Sequence, residues 1–222
     1  MPNILLINPN SSENTTAMMV GIAAAGVPGD VQIIGATARK GPMMITTAAA
    51  LAASADEVVE IGLRDGAGCA GMIVSAYGDP GLKTLQDRVA IPVVGICEAS
   101  MREAALGGRR FGVATVTPEL VESIEQAARE LNLSHLFCGV RLTPGDPVEL
   151  ARDPDRLRAA LAEAARACLQ RDGADVVIIG GGPLGQAALA LSLLFREPII
   201  APIPAAVRRL LGMMAVEAAR SR

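Results

Sequence analysis

Arg171-Asp172-Gly173-Ala174-Asp175-Val176-Val177-Ile178-Ile179-Gly180-Gly181-Gly182-Pro183 is the stretch that decides the fold. A polar turn leads into four consecutive β-branched residues, and three glycines and a proline end them. A short apolar run bounded by turn residues reads as a strand buried on both faces. Its opening is echoed upstream: Arg64-Asp65-Gly66-Ala67 lies 107 residues before Arg171-Asp172-Gly173-Ala174. Ile91-Pro92-Val93-Val94 is echoed by Glu197-Pro198-Ile199-Ile200, 106 residues on, and Ile7-Asn8-Pro9 by Val116-Thr117-Pro118, 109 residues on. Three echoes at nearly the same offset, in the same order, favour two similar α/β halves over one six-stranded sheet.

Outward from that stretch, short apolar runs alternate with Ala-rich amphipathic ones. Strands are expected at Ile4–Ile7, Val31–Gly35, Gly71–Ser75, Val93–Ile96, Phe111–Val116, Val140–Leu142, Val176–Ile179 and Ile199–Ala201. Helices are expected at Asn14–Ala25, Thr47–Asp65, Gly81–Val89, Glu98–Leu106, Pro118–Leu131, Asp153–Arg171, Leu184–Leu194 and Ala205–Arg220. The alternation argues for α/β architecture with parallel strands. The second half's strands are complete before the last helix, so that helix is expected to return to the first half. The expected division is 1–98 plus 207–222 against 99–206.

Composition narrows the chemistry. Of 222 residues, 51% are hydrophobic and 19% charged, enough for a sizeable core. One His cannot supply a multi-histidine metal site. Aromatics at 2% leave no base-stacking platform, and a net charge of −3 leaves no basic footprint for nucleic acid. Cys69, Cys97, Cys138 and Cys168 form no C-x-x-C pair, so neither a zinc nor a redox motif is expected. The N-terminus has no basic region or cleavage site, and no uninterrupted apolar run spans a bilayer. A cytoplasmic protein without membrane association is expected. Carboxylates, hydroxyls, backbone amides, the one Tyr and the thiols remain as possible catalysts.

Ligands of parallel sheets bind beyond the carboxyl ends of the strands, around a crevice that two such halves would share. Asn8-Pro9-Asn10-Ser11-Ser12-Glu13-Asn14-Thr15-Thr16 follows the first strand. It suits simple helix capping, or a carboxylate seat using Asn8 and Ser11. Ser75-Ala76-Tyr77-Gly78-Asp79-Pro80-Gly81 follows the third; this is ordinary turn chemistry, but it carries the only Tyr, whose phenol could donate to a ligand. Cys97-Glu98 follows the fourth, either as inert packing or as a proton carrier beside a carboxylate. In the second half, Thr115-Val116-Thr117 and Gly180-Gly181-Gly182 occupy strand ends. The glycines form either a flexible turn or a cradle for an oxyanion. They match no dinucleotide or phosphate-loop fingerprint. His135, in a helix-to-strand connection, reads as structural or exposed.

As an ordered set these loops resemble the aspartate/glutamate/hydantoin racemase superfamily, nearest its hydantoin racemase branch. The carriers are Ile7 to Ser11, Gly41-Pro42 with Ile45, Tyr77 to Leu82, Pro92 to Ala99, Phe111 to Thr117, and Pro204 to Val207. The resemblance implies two pseudo-symmetric α/β lobes, each a four-stranded parallel sheet flanked by helices. It implies a small-molecule substrate with a carbonyl or carboxylate, no metal or organic cofactor, and a homo-oligomer. It also implies two catalytic cysteines, one per lobe, on opposite sides of the substrate Cα. Inversion needs one acid and one base across a planar carbanion, and thiols can serve as either. In this sequence the two matching positions hold Ala76 and Gly181. The two-thiol mechanism therefore cannot run here as written. Tyr77 and Cys97 remain as candidate catalysts. Asn8, Ser11, Ser75, Ala76, Tyr77, Thr115, Thr117, Gly181 and Gly182 remain as candidate substrate contacts. The implied activity is isomerase-like, at the carbon alpha to a carbonyl of a hydantoin or amino acid, through an enolate-like intermediate. The alternatives are decarboxylation of a malonate-type acid, or binding without chemistry.

Overall fold

A computed structural model describes residues 1–220. The strands are β1 (Asn3–Asn8), β2 (Gln32–Thr37), β3 (Gly71–Val74), β4 (Val93–Gly95), β5 (Phe111–Thr115), β6 (Phe137–Leu142), β7 (Val176–Ile179) and β8 (Ile199–Ile200). The helices are α1 (Glu13–Ala24), α2 (Ala48–Asp65), α3 (Leu82–Gln86), α4 (Ile96–Ala104), α5 (Val121–Glu130), α6 (Pro147–Ala151), α7 (Pro154–Gln170), α8 (Gly185–Ser192) and α9 (Pro202–Arg220). The strands form two four-stranded sheets, ordered β2-β1-β3-β4 and β6-β5-β7-β8, and every pairing is parallel. The second order is the first with four added to each strand number, as the repeated sequence predicts.

The chain divides into two compact units. Unit 1 comprises Met1–Ile45, Ala49–Ile96 and 203–220; unit 2 comprises Thr46–Ala48 and Cys97–Pro202. Residues 221–222, placed in the first half by the sequence reading, lie outside the described residues.

Unit 1 buries its sheet on both faces. Leu5, Ile7, Met72, Val74 and Val93 pack with Val58 and Ile61 of α2 and Leu85 of α3. Strand side chains alternate between faces, so Gly71, Ile73 and Ser75 point the other way. There, the missing Cβ of Gly71 leaves room for Leu210 of α9, whose Cδ1 would lie 2.8 Å from it. The missing Cβ of Gly35 likewise admits Thr16 and Val20 of α1 at 2.7 Å. In unit 2, α7 lies over β5: Cys168 sits where a Gly112 Cβ would be, with its Sγ 2.9 Å away. The Phe111 and Phe137 rings, 5.5 Å apart, join β5 to β6.

Several boundaries differ from expectation for local reasons. β6 starts three residues early, because Phe137 pairs with Phe111 before the ladder shifts register at Gly139, which has φ +110°. α6 is unannounced by any periodicity, being five residues long. Asp146 caps it, accepting from Val148 N and Glu149 N, with Pro147 at the first helical position. α4 begins at Ile96 immediately after β4, so Cys97 lies inside a helix and not in a loop.

Candidate functional site

In unit 1 the loop after β1 is held by its own amides. Asn8 is fully buried. Its Nδ2 donates to Ser12 O at 3.2 Å and to Thr16 Oγ1 at 2.9 Å, and its Oδ1 accepts from Asn10 N at 3.0 Å. Asn10 Oδ1 in turn accepts from Ile45 N at 2.8 Å, drawing the 41–45 segment onto the loop. Ser12 caps α1, accepting from Thr15 N. Ser11 donates its hydroxyl to Gly41 O at 3.1 Å while its side of the loop stays partly exposed. The capping and ligand readings of this loop thus divide by residue: Asn8 and Ser12 act within the loop, and Ser11 stands at its surface.

The loop after β3 carries Ser75, Ala76 and Tyr77, all buried. Ser75 donates its hydroxyl to Met19 Sδ at 3.1 Å, tying this strand end to α1. A turn closes the loop, with Asp79 N donating to Ala76 O at 3.1 Å. Asp79 adopts φ +49°, a left-handed conformation that Asp tolerates better than most residues. Its carboxylate lies over Gly95 at the end of β4, where a Cβ would fall 2.1 Å from Asp79 Cγ. Gly95 is therefore required for this loop to close. In the sequence Asp79 reads only as a turn residue; the Gly78-Asp79-Pro80-Gly81 turn around it and the strand-final Gly95 are the signals of its close packing.

In unit 2 the polar groups gather at the ends of β5, β6 and β7. Thr115 donates its hydroxyl to Gly180 O at 2.7 Å, and Gly180 N donates to Ala114 O at 2.9 Å, fixing the start of the glycine loop. Thr117 Oγ1 stands 3.5 Å from Thr115 Oγ1. Gly181 has φ 163°, ψ 133°, extended backbone open to any residue. The nearest atoms to a Cβ there would be those of the Leu184 side chain, at 3.0 Å, close enough that this side chain would have to shift slightly. Gly182 opens a 3₁₀ turn, Gly182–Leu184, that leads into α8. The sequence reading names no residue after β6. The structure adds Thr143, whose N–H donates to Thr115 O at 3.0 Å. Its hydroxyl is buried and has no hydrogen-bond partner among the described residues. Such an orphan calls for a water or a ligand. The strand-end rule that selected Thr115 would have found it.

Cys97 is fully buried in the first turn of α4, where Ser100 donates its hydroxyl to Cys97 O at 2.9 Å. The remaining thiols stand away from the carboxyl ends of the strands. Burial raises Cys69 and Cys138 and pushes Cys168 up to about 12. His135 is exposed in its connection. Among the described residues no cluster of three His, Cys, Asp or Glu side chains could hold a metal, and no helix is long and apolar enough to cross a membrane.

Comparison with known proteins gives these loops a context. Residues 4–210 match the family model described as Asp/Glu/Hydantoin racemase. A hydantoin racemase from Pseudomonas sp. (strain NS671) is 28% identical over 209 residues, spanning 92% of this chain and 83% of that one. The structure of allantoin racemase from Klebsiella pneumoniae superposes with a TM-score of 0.91 at 24% identity, covering 98% of this chain and 89% of that one. Arylmalonate decarboxylase superposes with a TM-score of 0.66 at 18% identity, covering 96% and 92%. The two structural likenesses speak to fold alone. The match to the family model covers nearly the whole chain, and this chain belongs to the Asp/Glu/hydantoin racemase family.

Proposed function

We propose that the protein is an isomerase that acts at the carbon alpha to a carbonyl or carboxylate of a small molecule, such as a hydantoin or an amino acid, without the paired thiols. The observation that carries this reading is the contrast at the strand ends. Positions 76 and 181 hold no titratable group, while the polar residues around them remain buried and ordered. Preorganised donors stabilise an enolate as its charge develops, at no cost in reorganisation. In this reading Ser11, Thr115, Thr117 and the Gly181–Gly182 backbone hold the carbonyl or carboxylate. Asn8 and Ser75 keep the loops in place from behind. Tyr77 and Cys97 are the proton carriers: one takes the Cα proton, and the other returns a proton to the opposite face. The family match supports the reaction class, and the 28% identical hydantoin racemase supports the substrate class.

A second reading is decarboxylation of a malonate-type acid. It is favoured by the empty positions themselves, because loss of CO₂ leaves the same enolate but needs only one proton donor. Incubation in D₂O with hydantoins, amino acids and substituted malonates, followed by NMR, separates the readings. Loss of the Cα–H signal with inversion is the expected result. Release of CO₂ would replace it with the second reading. A thermal shift on binding with neither outcome would leave a binding protein and overturn both.

A further inference from the structure

In unit 2 the hydrogen-bond ladder runs one residue past the outer strand. β6 ends at Leu142, and the Thr143 N–H then donates to Thr115 O at 3.0 Å, so Thr143 stands beside Thr115 at the carboxyl end of the sheet. Pro144 follows it and steers its backbone away from the helical region, while branching at Cβ restricts its rotamers. Thr143 is 6% exposed. The other buried serine and threonine hydroxyls all have partners. Ser54 and Ser100 donate to backbone oxygens, Ser75 to Met19, Thr16 to Ser12 O and Thr115 to Gly180 O. Ser12 accepts from Thr15, and Thr117 meets Thr115. Only the Thr143 hydroxyl has none among the described residues. The turn that follows makes no use of it, because Asp146 caps α6.

A valine would fill the same space without enclosing an unpaired hydroxyl, which costs free energy while its bond is unmade. The hydroxyl therefore points to a partner from outside the chain. It offers one donor and two acceptor sites. Its neighbours on this rim, Thr115, Thr117 and Gly180–Gly182, bring hydroxyls and backbone amides and no charge. A carboxylate enclosed against Thr143 would lack a counter-charge there; a hydroxyl or an amide needs none. β5 separates β6 from β7, so about 10 Å lies between their backbones. A substrate whose carbonyl is held by the glycines after β7 thus turns its substituent, and not that carbonyl, toward Thr143.

We propose that Thr143 is a specificity residue, whose hydroxyl binds a neutral hydroxyl or amide group on the substituent at the substrate Cα. The proposal rests on the isomerase reading for where the carbonyl lies. Calorimetric titration with 5-(hydroxymethyl)hydantoin and 5-ethylhydantoin tests it, because the two differ by a hydroxyl in place of a methyl. Wild type is expected to bind the hydroxymethyl compound roughly tenfold more tightly, the worth of one net hydrogen bond. Thr143→Val is expected to erase that preference and leave binding of the ethyl compound unchanged, and Thr143→Ser to retain it. Without ligand, Thr143→Val is expected to melt no lower than wild type, since it breaks no side-chain bond among the described residues. A wild type without the preference, or a preference kept by Thr143→Val, overturns the proposal. So does a Thr143→Val variant that melts lower and binds both compounds equally worse. Deuterium exchange at Cα tests the isomerase reading separately. The preference without exchange removes only that reading, exchange without the preference removes only the role of Thr143, and failure to bind either compound removes both.

Discussion

Asp65 and Asp172 occupy the same place in the repeated Arg-Asp-Gly-Ala motif, yet they grip different partners. In unit 1, Asp65 takes both hydrogen bonds from its own neighbour, Arg64, at 2.8 and 2.7 Å. In unit 2, Asp172 reaches across to Arg141 on the outer strand β6, accepting from Nε at 2.7 Å and also from Nη2. The motif makes the same turn twice, but only the second copy ties down an edge strand. The strand ends differ in a parallel way. In unit 1, Asn8 bonds to its own loop and to α1, and Ser75 bonds to Met19 of α1; in unit 2 the Thr143 hydroxyl has no hydrogen-bond partner among the described residues. A shared topology thus anchors its outer strand through the repeated aspartate in only one of its two copies.

The largest expected effect comes from placing thiols at positions 76 and 181. Ala76→Cys with Gly181→Cys is expected to raise racemisation by on the order of 100-fold or more over either single variant, the scale of one acid–base pair. The extended backbone at Gly181, and a nearest neighbour that is the movable Leu184 side chain, make the second change compatible with the fold. Chiral chromatography of a hydantoin reaction measures it; equal rates in single and double variants would detach these positions from the chemistry.

Next comes the internal bonding of the two rims. Asn8→Ala removes a fully buried amide with three hydrogen bonds and is expected to cost about 2–4 kcal/mol in urea denaturation. Thr115→Val removes one bond and leaves Gly180 O unpaired, for about 1–2 kcal/mol. The reverse order would mean that unit 2 carries the more tightly held rim.

The smallest effect is at the edge tie. Asp172→Asn is expected to lower Tm by roughly 2–4 °C, because the pair is partly exposed, whereas Asp65→Asn should change it less. The Arg141 guanidinium holds the Asp172 carboxyl below its ordinary value of 3.8. The pair's stabilisation is therefore complete above that ordinary value and is lost as pH falls through the depressed one. Thermal melts at descending pH should bring the wild type and Asp172→Asn together at the acid end; a gap that persists there would assign the effect to packing.

Much of this architecture is legible in the residues. The echoes at Arg64 and Arg171, at Ile91 and Glu197, and at Ile7 and Val116 report the twofold repetition, because buried parallel strands impose one pattern wherever they recur. The loops after β1, β3, β5 and β7 are legible because turn and hydroxyl residues crowd there. What the residues conceal is direction. Asn8 and Ser11 look alike in sequence, but one amide turns into the loop and the other residue stays at its surface. Cys97 reads as a strand-end residue because Ile96 looks like a continuation of the apolar run of β4, whereas the helix begins at Ile96, directly after Gly95. Thr143 sits in a short, ordinary-looking segment, and only the bonds made around it reveal a hydroxyl left over.

The most direct test of the central claim is deuterium wash-in at the substrate Cα, comparing wild type with Tyr77→Phe on a 5-substituted hydantoin. Wild type is expected to exchange the proton well above the solvent rate, and Tyr77→Phe at least about tenfold more slowly, in line with loss of a positioned acid. Exchange at the solvent rate in both proteins, with the hydantoin bound, would contradict it.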